Sequence, residues 1–132
     1  MVRGAHLLLY STDPAADRAF FRDVLQLGYV DDGDGWLIFR LPDSEVALHP
    51  AGAVDAVHHG GHAMPGAVLY LMCDDLESTM RELGERGARF TEVTAEPWGR
   101  KTCIQLPSGG VLGLYQPSHV VAVQLTEPGE ET

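Results

Sequence analysis

At 132 residues with 45% hydrophobic side chains, the chain has the length of one domain and enough apolar surface to bury a core. Its 19 acidic against 9 basic residues leave a net charge of −10, which argues against nucleic acid and anionic membranes as partners, since both reward basic patches. No apolar run approaches a membrane span, Met1–Ala5 carries no signal-peptide pattern, and Cys73 and Cys103 lie outside any CxxC motif, so a reduced cytoplasmic protein is expected.

His6–Tyr10 is a short apolar run closed by the turn Ser11-Thr12-Asp13-Pro14, the pattern of a buried strand. Asp13 or Thr12 caps the helix that follows, and Pro14 suits its first turn. Ala16, Phe20, Val24 and Leu27 recur at helical spacing with Phe21 beside them, Arg18, Arg22 and Asp23 fall on the wet side, and Gly28 ends the helix. Tyr29-Val30 begins a second strand that runs into the turn cluster Asp31-Asp32-Gly33-Asp34-Gly35. Trp36–Leu41 and Glu45–His49 then read as a hairpin across Pro42-Asp43-Ser44. Residues 50–66 are rich in glycine, proline and small residues without periodicity, and read as a mobile linker.

The order then repeats. Val68–Met72 is a strand, Cys73-Asp74-Asp75-Leu76 a polar turn, and Leu76–Arg86 a helix with Leu76, Met80 and Leu83 inward. Ala88–Val93 is a strand, Thr94–Arg100 a loop, and Thr102–Leu106 pairs with Val111–Tyr115 across Pro107-Ser108-Gly109-Gly110. Val120–Leu125 reads as a terminal strand, and Thr126–Thr132 as a frayed acidic tail. Ala5–Gly28 and Ala67–Gly87 are thus two copies of one unit, too few for a solenoid. The expected fold is α+β, a single domain of two βαβββ modules whose curved mixed sheets form a cleft. Module one covers about residues 5–50, the linker about 51–66, module two about 67–117 and the tail 118–132.

This duplication, with Asp13, Phe20-Phe21, Leu25, Leu27 and Gly28 in the first copy and Asp74-Asp75-Leu76, Leu83, Gly87-Ala88 and the closing Leu106–Pro117 segment LPSGGVLGLYQP in the second, resembles the vicinal oxygen chelate superfamily. That superfamily contains glyoxalase I, extradiol dioxygenases, fosfomycin-resistance enzymes and bleomycin-resistance proteins. The resemblance spans residues 5–117 and implies a U-shaped cleft, usually completed in a homodimer. It also implies a divalent ion held by His or Glu at four strand positions in the metal-using members. Mapped here, these positions are His6, Val68, Gly113 and Ala47 (or Leu48 in a gapless alignment). Only His6 can bind a metal, and a protein-held divalent ion needs about three side chains. Neither a metal nor another cofactor is therefore expected.

Replacing ligands by Gly113, Val68 and Ala47 is expected to vacate space at the centre of the cleft. Trp98, in the loop entering the third strand of module two, together with Trp36, Met64, Tyr70, Met72 and Tyr115, would line an aromatic pocket suited to a flat, partly cationic molecule. Filling core or dimer contacts is the competing role for both tryptophans. His6, His49 and Tyr10 are the polar candidates in or near the cleft. His58, His59 and His62 sit in the glycine-rich linker, where adventitious metal binding is the expected behaviour. No nucleophile motif and no phosphate-binding glycine loop is present, so no catalytic residue is assigned. The leading expectation is a metal-independent binder that sequesters an aromatic antibiotic in a dimeric cleft. The alternative is a lyase, isomerase or dioxygenase using His6 and His49, with Glu45 in reach, through a rearranged metal site or as acid and base. Fold analogy alone supports both.

Overall fold

The structure, a computed structural model, describes residues 6–124. Two ten-residue helices, α1 (Pro14–Asp23) and α2 (Leu76–Glu85), lie sixty-two residues apart and begin the same way. Asp13 Oδ1 accepts the Ala16 N–H at 3.2 Å and Asp75 Oδ1 accepts the Ser78 N–H at 3.1 Å, so each helix has a side-chain cap on an otherwise unpaired first-turn donor. Helix α2 ends where Gly87 adopts φ +98° and Ala88 N–H returns to the Leu83 carbonyl, as a left-handed glycine permits. Helix α1 stops at Asp23, earlier than Gly28. Val24 and Leu25 both donate to the Phe20 carbonyl, and Gln26 takes φ +56°.

The second copy forms a four-stranded sheet in the order β5 (Tyr70–Met72), β8 (Val111–Pro117), β7 (Gly99–Gln105), β6 (Thr94–Glu96). β5 and β8 run parallel and the other pairs antiparallel. Alternation sends Leu112, Leu114 and Ile104 to one face, where they join Leu76, Leu83 and Ala88 in the core. Tyr70, Met72, Gly113 and Tyr115 fall on the other face. Helix α1 and the turn that follows it close the core, laying Phe20, Phe21, Val24 and Leu25 against it.

In the first copy, β1 (Tyr29–Asp31) pairs with β2 (Leu37–Phe39). The intervening Asp31–Gly35 cluster closes on itself, with Gly33, Asp34 and Gly35 all at positive φ and Asp31 Oδ1 accepting the Gly33 N–H. This local closure takes β2 away from the expected hairpin with Glu45–His49, which has no strand partner among the described residues. His6–Tyr10 is likewise without a strand assignment, because apolar sequence supplies strand preference but not a neighbour to pair with. Residues 57–64, expected as linker, form a hairpin of β3 (Val57–His59) and β4 (His62–Met64) around Gly60-Gly61 at φ +60° and +81°. Ala88–Val93 contributes only a bridge, Phe90 to Ile104, while Thr94–Glu96, expected as loop, pairs with β7. Ala122–Gln124 is a 3-10 turn where a terminal strand was expected; Leu125 and the tail lie outside the described residues.

Candidate functional site

On the face of the second-copy sheet away from α2, three aromatic rings meet edge to face. Tyr115 and Trp98 lie 5.1 Å apart between centroids, Tyr70 and Tyr115 5.6 Å, and Tyr70 and Trp98 5.7 Å, with interplanar angles of 78–85°. Such pairs gain beyond the area they bury. Tyr70 and Tyr115 arrive by strand alternation from β5 and β8. Trp98 arrives in the two-residue turn Pro97-Trp98 that joins β6 to β7. That turn is held tightly: Ser118 N–H donates to the Trp98 carbonyl at 3.0 Å, and Gly99, at φ +151°, has no room for a Cβ against the Gln116 carbonyl.

Gly113 lies under Tyr70. A Cβ there would collide with Cδ1 and Cε1 of the Tyr70 ring, so the position is filled by the cross-strand tyrosine. The expected empty space is not present at Gly113. Glycine instead lets an aromatic ring settle on bare backbone.

The polar rim contains two residues that sequence reasoning did not place here. Glu45 Oε1 accepts the Ala122 N–H at 2.7 Å, and Oε2 lies 3.9 Å from His119 Nε2. His119 Nε2 is 3.0 Å from the Tyr115 hydroxyl, and its Nδ1 donates to the Val120 carbonyl at 2.8 Å. Lys101 Nζ stands 5.9 Å from the Trp98 centroid, within cation–π reach. Burial, and then the charge of Glu45 and the neighbouring Tyr70, hold the Tyr115 phenol above its ordinary pKa. No pattern in the sequence marked His119, which stands two residues past the end of β8 beyond Pro117. In the sequence Glu45 stands out only as a group in reach of His6 and His49.

The other predicted site residues are dispersed. Met72 shares the open face, paired with Tyr115. Tyr10 reaches the β3–β4 hairpin, its hydroxyl 2.5 Å from His59 Nδ1. Trp36 lies under the Arg18 guanidinium at 4.7 Å. Its neighbours Leu37 and Gly35 line a groove of about 390 Å³ between α1 and the β1–β2 hairpin. Met64 is exposed on β4, His6 is exposed, and His49 Nδ1 bonds the Pro50 carbonyl. No described contact joins His6 to His49. A second groove, about 310 Å³, runs beside Phe20, Arg89 and Leu106. Neither groove includes the aromatic triad.

The four metal-ligand positions implied by resemblance do not fit a divalent ion. Gly113 is covered by Tyr70, Val68 and Leu48 are exposed aliphatics, and Ala47 offers no donor. Among the described residues no group of three or more His, Cys, Asp or Glu side chains is placed to hold one. None of the described helices is long and apolar enough to cross a membrane.

The chain matches the glyoxalase/bleomycin resistance protein/dioxygenase superfamily over residues 3–120. No curated protein matches it. Among solved structures, TnmS3, an antibiotic binding protein from Streptomyces sp. CB03234, is 23% identical with a TM-score of 0.54, covering 89% of this chain and 100% of its own. UcmS2 is 17% identical with a TM-score of 0.57, covering 87% of this chain and 98% of its own. Lactoylglutathione lyase from Agrobacterium tumefaciens is 20% identical with a TM-score of 0.55, covering 82% and 88%. At these identities the likeness establishes the fold.

Proposed function

The chain belongs to the glyoxalase/bleomycin resistance protein/dioxygenase superfamily, and from that premise we propose that it is a binding protein for a flat aromatic small molecule, sequestering an antibiotic or similar natural product without a metal. The observation that carries this reading is the Tyr70–Trp98–Tyr115 triad, which occupies the sheet face where a metal-using relative would place a carboxylate at position 113. Likeness to an antibiotic-binding structure supports it. We place it in the cytoplasm as a homodimer, a compartment that suits the free thiols of Cys73 and Cys103.

Burying one aromatic face of a ligand, on the order of 150 Å² at about 25 cal/mol per Å², contributes roughly 4 kcal/mol before stacking. Association costs offset part of this, so affinity in the micromolar range is expected. The test is fluorescence titration with flat aromatic compounds, including DNA-intercalating antibiotics, followed by recovery of the compound. Saturable tryptophan quenching with the compound unchanged is expected, and Trp98→Ala should weaken binding at least about tenfold. A variant that binds as well as the parent removes Trp98 from the site. Recovery of an altered compound with turnover makes the protein an enzyme.

A further inference from the structure

Glu45 runs against the trend of its own segment. Val46 is 88% and Leu48 95% exposed, while the Glu45 side chain is only 23% exposed. Covering a carboxylate while leaving two aliphatic neighbours in water reverses the usual order, so specific bonds hold the carboxylate in place. One oxygen is accounted for, since Oε1 accepts the Ala122 N–H. The other is not. Oε2 lies 3.9 Å from His119 Nε2, beyond hydrogen-bond reach. The imidazole is engaged on both sides: Nδ1 needs its proton to bond the Val120 carbonyl, which leaves Nε2 to accept the Tyr115 hydroxyl.

We propose that Glu45 is the charge-reading group of this site, its Oε2 accepting an ammonium or guanidinium group of a flat aromatic ligand whose rings pack on the accessible parts of Tyr70 and Trp98, beside the buried Tyr115. The inference rests on the binding function proposed above and adds the ligand's charge. A carboxylate already fixed by a backbone N–H accepts a second, charge-assisted bond with little reorganisation. The Tyr115 ring beside it adds cation–π attraction.

Two probes of similar size separate charge from stacking: 9-aminoacridine, cationic at neutral pH, and acridone, which is neutral. Glu45→Gln keeps an oxygen for the Ala122 N–H and is expected to weaken 9-aminoacridine about tenfold more than acridone, with an unchanged circular dichroism spectrum. Trp98→Ala is expected to weaken both. Equal losses for the two probes in Glu45→Gln, or none, while Trp98→Ala still weakens both, overturn the charge assignment and leave the aromatic site standing. Failure of either probe to bind saturably, or binding that Trp98→Ala leaves intact, overturns the site and this inference with it.

Discussion

A hydrogen atom in place of a side chain at position 113 lets the Tyr70 ring settle on the β8 backbone, and from there it meets both Trp98 and Tyr115. Tyr115 is buried, yet its hydroxyl reaches His119 Nε2 and lies close enough to Glu45 to feel its charge. Burial, the larger cause, and the nearby carboxylate both disfavour a phenolate, so the folded pKa lies above the unfolded value. With that sign, the stabilisation is fully present below the ordinary phenol value of about 10 and is lost as pH rises through the folded value. In an ultraviolet phenolate titration of the native protein, a tyrosine is expected to ionise late, and Tyr115→Phe is expected to abolish that late step. Its persistence in the variant would assign it to another tyrosine.

At the scale of elements, the contact between α1 and the β7–β8 turn is built from polar atoms as well as apolar ones. Asp17 is buried, and both its carboxylate oxygens are used: Oδ1 accepts the Ser108 N–H at 3.1 Å and Oδ2 the Ser11 hydroxyl at 2.7 Å. Thr12 donates its hydroxyl to the Ser108 carbonyl at 3.1 Å. Both backbone groups of Ser108 are therefore held by the first copy. Asp17→Ala would leave the half-buried Ser108 N–H without its acceptor and is expected to lower unfolding free energy by about 1–3 kcal/mol in urea melts, whereas Asp17→Asn, which retains one acceptor, should lose less. Equal stability in Asp17→Ala would show that water replaces the clasp. None of this is visible in the sequence, where no pattern sets Asp17 apart. What could be read there was local: a cap at Asp13 or Thr12, a glycine after the second helix, and the apolar stripes that carry Phe20 and Leu83 inward. Pairing partners were harder, because Trp36–Leu41 had two turns to choose from and Asp31–Gly35 closes locally. The Gly60-Gly61 hairpin carried a two-residue turn signal that low periodicity concealed. For the candidate site, Tyr70, Trp98, Gly113 and Tyr115 converge because alternation and one turn dictate it. Glu45 and His119 come from irregular segments, for which no period exists to read.

At the scale of the whole molecule, much exposed apolar surface is concentrated in strand-like segments: Leu7, Leu8, Leu9 and Tyr10 are 42–65% exposed, Val46 and Leu48 nearly fully so, and Val68, just before β5, is 82% exposed. β5 is also an edge strand, with β8 on one side and no strand on the other among the described residues. An open sheet edge near unpaired apolar segments invites strand addition from another chain. In the homodimer proposed above, a second copy would supply the matching edge and the matching segments, and such a self-complementary arrangement would close as a two-fold dimer. Sedimentation at micromolar concentration is therefore expected to give twice the 14.3 kDa chain mass, with a Tm that rises with protein concentration. Replacing Leu8 and Val46 with serine should then shift the equilibrium toward monomer, since each change removes exposed apolar surface that the partner would cover. A parent protein that sediments as a monomer, with a Tm independent of concentration, would mean that these segments find their cover within one chain.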